Sequence, residues 1–261
     1  MPRIALGLEY DGTDFVGWQI QQTGRTVEGT VAAAVGFVAG AAVTVHGSGR
    51  TDAGVHALHQ VAHFDTSVAR TPRQWLLGIN SNLPPDVAIR WVREVPADFD
   101  ARRSALSRRY RYTVLQQAAR PALLRRRAWW LRQELDCGAM SAAASAWVGE
   151  RDFSAFRGAG CQAKSPMRRL TAVAIAQRRQ GDGTLVTFDF TANAFLQHMV
   201  RNLVGTLVAI GGGELEVQEA VRILELRDRR EAGVTAPPEG LALVEVLYPA
   251  RFELPRYEDE L

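Results

Sequence analysis

The chain has 261 residues, 47% of them hydrophobic and 23% charged. That is enough apolar material for one large core or two small ones, and too ordinary a charge content for a disordered chain. No apolar run approaches the ~20 residues of a bilayer crossing, the start Met1-Pro2-Arg3-Ile4 lacks the basic-then-apolar layout of a signal peptide, and two distant cysteines, Cys137 and Cys161, exclude a disulfide framework or zinc knuckle and fit a reducing, cytoplasmic setting.

In chain order, residues 3–10 alternate weakly and are predicted to form a strand. Residues 11–25, rich in Gly, Asp and Gln, form a loop. Thr26 caps a small-residue helix that runs to about Gly40. A short strand over 43–47 leads into Gly47-Ser48-Gly49, and a further strand follows over 58–64. Thr71-Pro72 is a cap followed by a first turn, for a helix through Ile79 that Asn82-Leu83-Pro84-Pro85 stops. Residues 87–95 are a strand.

A second series begins with the alternating segment 107–115, which places Tyr110, Tyr112 and Val114 on one face and Arg109, Arg111 and Thr113 on the other. After Pro121, residues 128–131 pair as a strand, and Asp136 caps a helix through Trp147. Strands over 170–176 and 185–191 are joined by the turn Gln180-Gly181-Asp182-Gly183. An apolar helix over 194–210 ends at three glycines, a helix over 217–229 follows, and 241–248 is the last strand. The order predicts an α+β protein of two layers, each a mainly antiparallel sheet with helices on one face, sharing a central cleft. The expected boundary lies near Ala105–Ser107, dividing the chain into domains 1–106 and 107–261.

The net charge is +3 and the pI is 9.2. Apart from Lys164, every basic residue is an arginine. Clusters stand at Arg102-Arg103, Arg108-Arg109-x-Arg111, Arg125-Arg126-Arg127, Arg168-Arg169 and Arg178-Arg179, while acid collects at Glu253, Glu258, Asp259 and Glu260. A GC-rich genome accounts for arginine usage alone; the clustering points to a polyanion partner, because guanidinium suits phosphate forks and base stacking.

Three segments can carry chemistry. In Gly47-Ser48-Gly49-Arg50-Thr51-Asp52-Ala53-Gly54-Val55-His56, glycines that permit positive φ and close ligand approach bracket an arginine and a carboxylate. No Gly-Lys-Ser/Thr follows, so this is not a phosphate-cradling P-loop. Four of the five histidines, His46, His56, His59 and His63, lie in or beside it, which opens a rival reading as a metal-dependent hydrolase; HExxH is absent, and edge or stacking histidines are the alternative. In the second segment, Asn193 to Asn202, helical spacing lines up Phe195, Met199 and Leu203, and separately Ala194, His198, Arg201 and Gly205. Arg201 on so apolar a helix is either a snorkelling surface residue or the neutralising partner of a buried carboxylate. The third, Arg108-Arg109-Tyr110-Arg111-Tyr112, suits a face that stacks bases between phosphate-holding arginines, or an ordinary strand with tyrosines in the core. A non-catalytic RNA-binding protein would show the same basic clusters.

Taken with Leu8-Glu9-Tyr10-Asp11-Gly12-Thr13, Gly17-Trp18-Gln19, Asn80-Ser81-Asn82-Leu83-Pro84, Phe99-Asp100-Ala101-Arg102, Asp152-Phe153-Ser154-Ala155-Phe156 and Glu239-Gly240-Leu241, these segments give a chain that resembles the TruA-type tRNA pseudouridine synthases over nearly its whole length. The resemblance implies an isomerase with the pseudouridine synthase fold that converts uridine to pseudouridine at positions 38, 39 and 40 of the tRNA anticodon stem-loop. It further implies no metal, no organic cofactor, no membrane association, and a homodimer with tRNA lying across both subunits. By the same resemblance Asp52 is the catalytic carboxylate, Tyr110 stacks on the target base, and Arg201, with Arg50 from the Asp52 loop, is the basic partner of the aspartate. The reaction breaks a C1′–N1 bond, turns the freed uracil and forms a C1′–C5 bond, so the base must leave its stack for a closed pocket. One carboxylate can serve as a nucleophile at the sugar, as a nucleophile at the base, or as the base that removes the C2′ proton to give a glycal. All three routes remain open to the sequence.

Overall fold

The computed structural model describes residues 1–257, so Glu258, Asp259 and Glu260 of the acidic tail lie outside the described residues. The chain folds into two compact units. The first, Met1–Arg108 with the chain from Ala242 onward, contains β1 (Arg3–Tyr10), α1 (Val27–Ala39), β2 (His46–Gly47), β3 (His56–Asp65), α2 (Pro72–Ser81) and β4 (Val87–Val95). The second, Arg109–Leu241, contains most of β5 (Ser107–Gln116), then β6 (Trp129–Leu131), α3 (Cys137–Ser145), β7 (Gly149–Asp152), β8 (Met167–Gln180), β9 (Gly183–Ala192), α4 (Met199–Gly211) and α5 (Glu219–Leu226). The last strand, β10 (Leu241–Leu247), returns to the first unit and pairs in parallel with β3 through Ala242 opposite His56 and Leu243 opposite Ala57. The first unit is therefore discontinuous in sequence: β10 is held by hydrogen bonds to β3, and pairing of that kind leaves no local trace in the sequence.

In the first unit β1 is central, with antiparallel neighbours β3 and β4. Its apolar run Ile4-Ala5-Leu6-Gly7-Leu8 reads as a strand covered on both faces, and Ile4, Ala5, Leu6 and Leu8 are all buried. Gly7 is required by packing, because a Cβ there would sit 2.0 Å from the Trp91 ring. The helix signals are realised in detail. Thr26 accepts from the Gly29 amide, Gly40 ends α1 with φ 68°, and Thr71 with Gln74 forms a reciprocal capping box at α2. Asn80, on the last turn of α2, donates to the Ile89 carbonyl at 2.9 Å and accepts from the Ile89 amide at 2.8 Å, which fastens the helix to β4.

In the second unit the order is β5-β9-β8-β7, with β6 parallel on the other side of β5. Strand β7 escapes the sequence reading because Gly149-Glu150-Arg151-Asp152 has no apolar alternation; its antiparallel pairing with β8 defines it. The helix expected over 194–210 begins only at Met199. Before it, Asn193 accepts from the amides of Arg169 and Ala194, the Gln197 carbonyl accepts from Gly158, and His198 is left-handed at φ 61°. The Gln197 carbonyl is thereby denied to an i+4 amide, and the left-handed His198 breaks the helical path. The helix expected over 217–229 is shorter, ended by left-handed Arg227.

Helix α4 is buried nearly all round and carries a polar seam. Asn202 donates to the Phe156 carbonyl at 2.8 Å and accepts from Arg229 at 3.0 Å and Thr235 at 2.7 Å. Thr206 accepts from the Gly233 amide. At Gly205 a Cβ would stand 1.7 Å from the Val234 carbonyl oxygen, so only glycine lets residues 233–236 cross the helix so closely. No helix among the described residues is long and apolar enough to cross a membrane.

Candidate active site

The segment between β2 and β3 is held by buried anchors, with Asp52 half-buried beside them. Ser48, 1% exposed, receives a hydrogen bond at its carbonyl from Arg108 at 2.8 Å and donates its hydroxyl to Gln60 Oε1 at 2.5 Å. Gln60 is fully buried and donates onward to the Gly49 carbonyl at 2.9 Å. Thr51, also buried, shares a 2.8 Å hydroxyl–hydroxyl hydrogen bond with Tyr10, and its carbonyl accepts from the Trp18 amide at 3.0 Å. Such buried bonds are worth about 1 kcal/mol each, and more if one partner is deleted and the other left unsatisfied. Beyond Thr51 the chain turns: the Val55 amide donates to the Asp52 carbonyl at 3.1 Å with Gly54 at φ 78° and Ala53 not in the left-handed region, as a type II turn requires. Gly12 backs this turn so closely that a Cβ would meet the Val55 carbonyl oxygen at 1.9 Å.

Asp52 is consequently half-buried between buried Thr51 and this turn, and Arg50 is exposed two residues before it. The sequence identifies the loop and its carboxylate but not the anchors. Tyr10, Ser48 and Arg108 lie in segments that the sequence singles out, but nothing in it marks them, or Gln60, as anchors of the loop.

The other expected residues lie in the second unit. Tyr110 is 9% exposed and meets the Phe195 ring edge-on, with centroids 5.1 Å apart and planes at 82°. Tyr112, fully buried, donates to the Pro237 carbonyl at 2.7 Å. Tyr110 and Tyr112, which the alternation puts on one face of β5, are both buried. The opposite face differs from the expectation of free phosphate-holding arginines: Arg111 lies 3.1 Å and Arg109 3.9 Å from the Asp189 carboxylate on neighbouring β9. Arg201 is half-buried on α4, where its Nε donates to the Ala236 carbonyl at 2.7 Å and its own carbonyl accepts from the Ala236 amide at 3.1 Å. Ala194, expected on the line of Arg201, and Phe195, expected on the line of Met199 and Leu203, precede the helix.

The histidines have structural partners. His46 and His63 stack at 5.1 Å, His59 Nε2 accepts from the Trp91 indole at 3.3 Å, and His56 Nδ1 accepts from the Gly12 amide at 3.0 Å. His56 Nδ1 also stands 3.1 Å from the Asp11 carboxylate. Burial lowers His59 to about 4, and burial with the Arg3 and His46 charges lowers His63 to about 4. Among the described residues, no three His, Cys, Asp or Glu side chains gather as a metal site would need.

The family description "tRNA pseudouridine synthase" matches this chain over residues 8–102 and 143–249. The chain belongs to the tRNA pseudouridine synthase family. The first matched stretch contains the whole Asp52 loop with its anchors Tyr10 and Gln60, and the second contains Arg201; Tyr110 falls between them. Among curated proteins, the synthase is 50% identical to tRNA pseudouridine synthase A of Coxiella burnetii over 98% of this chain and 97% of that one. It is 51% identical to the protein of the same name from Nitrosococcus oceani, over 97% and 96% of the two chains. With the Pseudomonas aeruginosa protein of that name the identity is 48% over 97% and 88%.

Proposed function

We propose that this synthase uses the Asp52 carboxylate to isomerise uridine to pseudouridine at positions 38, 39 and 40 of the tRNA anticodon stem-loop. The reaction class, isomerisation of uridine in tRNA, goes with the family; the residue and the positions are our reading. The observation that carries it is the Asp52 loop, in which buried hydrogen bonds at Ser48 and Thr51 and the turn at Gly54 fix a half-exposed carboxylate. A group that must act on a flipped nucleotide needs that combination of rigidity and access. In the reaction N1 of the uracil gains a proton and C5 loses one, so nothing is consumed and no cofactor is called for. The reading gives Tyr110 the stacking role against the target base, Arg201 the charge that balances the carboxylate, and Arg50 the orientation of Asp52.

Incubating the pure protein with unmodified tRNA and mapping pseudouridine by nucleotide tests the assignment. Modification confined to positions 38–40, surviving exhaustive EDTA treatment, is the expected result. Activity lost to EDTA and restored by zinc would favour the metal-dependent hydrolase built on His46–His63, and binding without product would favour a passive RNA-binding protein.

Arg201→Ala is expected to lower turnover at saturating tRNA by at least about tenfold, against less than twofold for Arg126→Ala. Arg201 is half-buried with its Nε committed to Ala236, whereas Arg126 is exposed in the 125–127 run. Equal losses in kcat would reduce Arg201 to one more contributor to the overall field.

We also propose a cytoplasmic homodimer with tRNA lying across both subunits, following the family resemblance. Light scattering at micromolar concentration is expected to give twice the 28.7 kDa chain mass; a monomeric mass under those conditions would refute it.

A further inference from the structure

Beside the Asp52 loop, wholly within the first unit, lies a cavity of about 780 Å³. One wall is the loop itself, through Gly47, Gly49 and Arg50. The other is the turn that follows Phe99 and carries Arg102 and Arg103. Trp18, packed face-on against Gly47 where a Cβ would come within 2.5 Å of its ring, closes the floor with Gln19 beside it.

The two walls are held in place independently of any ligand. The Asp100 carboxylate accepts from the amides of Arg102 and Arg103 at 2.9 and 2.8 Å, which fixes the turn. The Ala101 amide donates to His63 Nδ1 and the Ala101 carbonyl accepts from the Tyr248 hydroxyl, so the turn is tied to the core. Arg108 then joins the walls: its guanidinium donates to the Ser48 carbonyl at 2.8 Å and to the Arg102 carbonyl at 2.7 Å. Arg108 is consumed by this role, as is Arg3, which is bidentate to Asp65.

The lining holds more positive than negative charge. Glu28, which accepts from the Ile20 amide, and Asp100, which accepts from its own turn and lies 4.0 Å from Arg103, are its two carboxylates, against Arg3, Arg50, Arg102 and Arg103. Arg50 and Arg102 are exposed, and Arg103 has a side chain 88% exposed. His46, whose ring lies 5.1 Å from that of His63 at a tilt of 33°, also lines the cavity and is exposed. Three guanidiniums converging on a preformed hollow with an exposed imidazole beside them match a nucleotide: phosphate oxygens for the forks, and a ring for a base to rest on.

We propose that this cavity holds a nucleotide of the RNA strand immediately next to the target uridine, with its phosphodiester on Arg102 and Arg103. Proximity identifies the nucleotide as a near neighbour. Arg50 lines the cavity and is two residues from Asp52, so cavity wall and carboxylate backbone are at most about 7 Å apart along the chain. The inference rests on Asp52 as the reacting group, and it adds a second binding point to the same RNA strand. Gripping a flanking phosphate holds the backbone while the target base is out of its stack.

The test uses a synthetic anticodon stem-loop RNA and the Arg102→Ala/Arg103→Ala double variant, with thermal unfolding to confirm that the variant folds. Affinity for the stem-loop is expected to fall about tenfold, and the log–log salt slope to flatten by about one for each phosphate no longer neutralised. A stem-loop carrying a neutral methylphosphonate at one of the phosphates flanking the target uridine is expected to lose similar affinity against the wild type. Against the double variant it should lose no more than twofold, because the partners are already gone. Losses that add in full, or an affinity unchanged by the double substitution, would overturn the proposal. Because the readout is binding, it stands apart from the test of the reaction: a wild-type protein that forms no pseudouridine would refute the role of Asp52 and leave this measurement interpretable.

Discussion

Asp52→Asn is expected to abolish pseudouridine formation, lowering turnover by at least about a thousandfold, while tRNA affinity stays within a few fold. The substitution is nearly isosteric. The turn that follows uses the Asp52 backbone carbonyl, and the bonds that fix the loop belong to Ser48, Thr51 and Gln60, so the variant should keep its loop conformation and melt within a few degrees of the parent. What it loses is the charge and the lone pair, and each of the three routes open to the carboxylate needs them. Single-turnover assays with excess enzyme, read beside a filter-binding titration, separate the two effects. A residual rate at a tenth of the parent would show that the carboxylate is not the reacting group.

The second large effect is on stability in acid. His59 and His63 are held neutral, both near 4 against an ordinary value of about 6.5. For His59 burial is the cause; for His63 burial leads, with Arg3 and His46 adding repulsion. In the folded protein each offers a lone pair, His59 Nε2 to the Trp91 indole and His63 Nδ1 to the Ala101 amide. Protonation would turn that acceptor into a donor facing a donor. Between pH 6.5 and 4 the unfolded chain therefore binds protons that the folded chain refuses. Stability is fully present above about pH 6.5 and falls as the pH drops to about 4, by on the order of 3 kcal/mol for His59 and less for the more polar surroundings of His63. At this chain length the melting temperature should fall by about 10 °C across that window. His63→Gln, which keeps an acceptor without a titrating ring, should flatten part of the slope. A melting temperature flat from pH 7 to 4.5 would contradict the account.

Much of this molecule is legible in its sequence. Thr26, Thr71 and Asp136 cap the helices predicted to follow them, because a side-chain oxygen before an apolar run acts locally. The β5 alternation places Tyr110 and Tyr112 inward. The Asp52 loop stands out through its glycines. What stays hidden depends on partners distant in sequence. Residues 194–198 have helical composition, yet the Gln197 carbonyl is taken by the Gly158 amide and His198 is left-handed. Arg109 and Arg111 suit phosphate by sequence alone, but Asp189 on the next strand takes them. Ser48, Gln60 and Arg108 are unremarkable letters whose roles exist only once β3 and the Phe99 turn bring them together.

The return of β10 to β3 has a consequence for how the protein is made. On the edge away from β1, β2 covers Ala62 and His63, but until Ala242 and Leu243 leave the ribosome the His56–Ala57 end of β3 has not met its partner strand, although the residues that build the rest of the first unit were synthesised long before. The nascent chain must carry that buried start of β3 uncovered through the synthesis of the entire second unit. The second unit, contiguous from Arg109 to Leu241, faces no such delay. Completion of the earlier-made half thus waits on the later one, and the strand left exposed meanwhile is the one that begins four residues after Asp52.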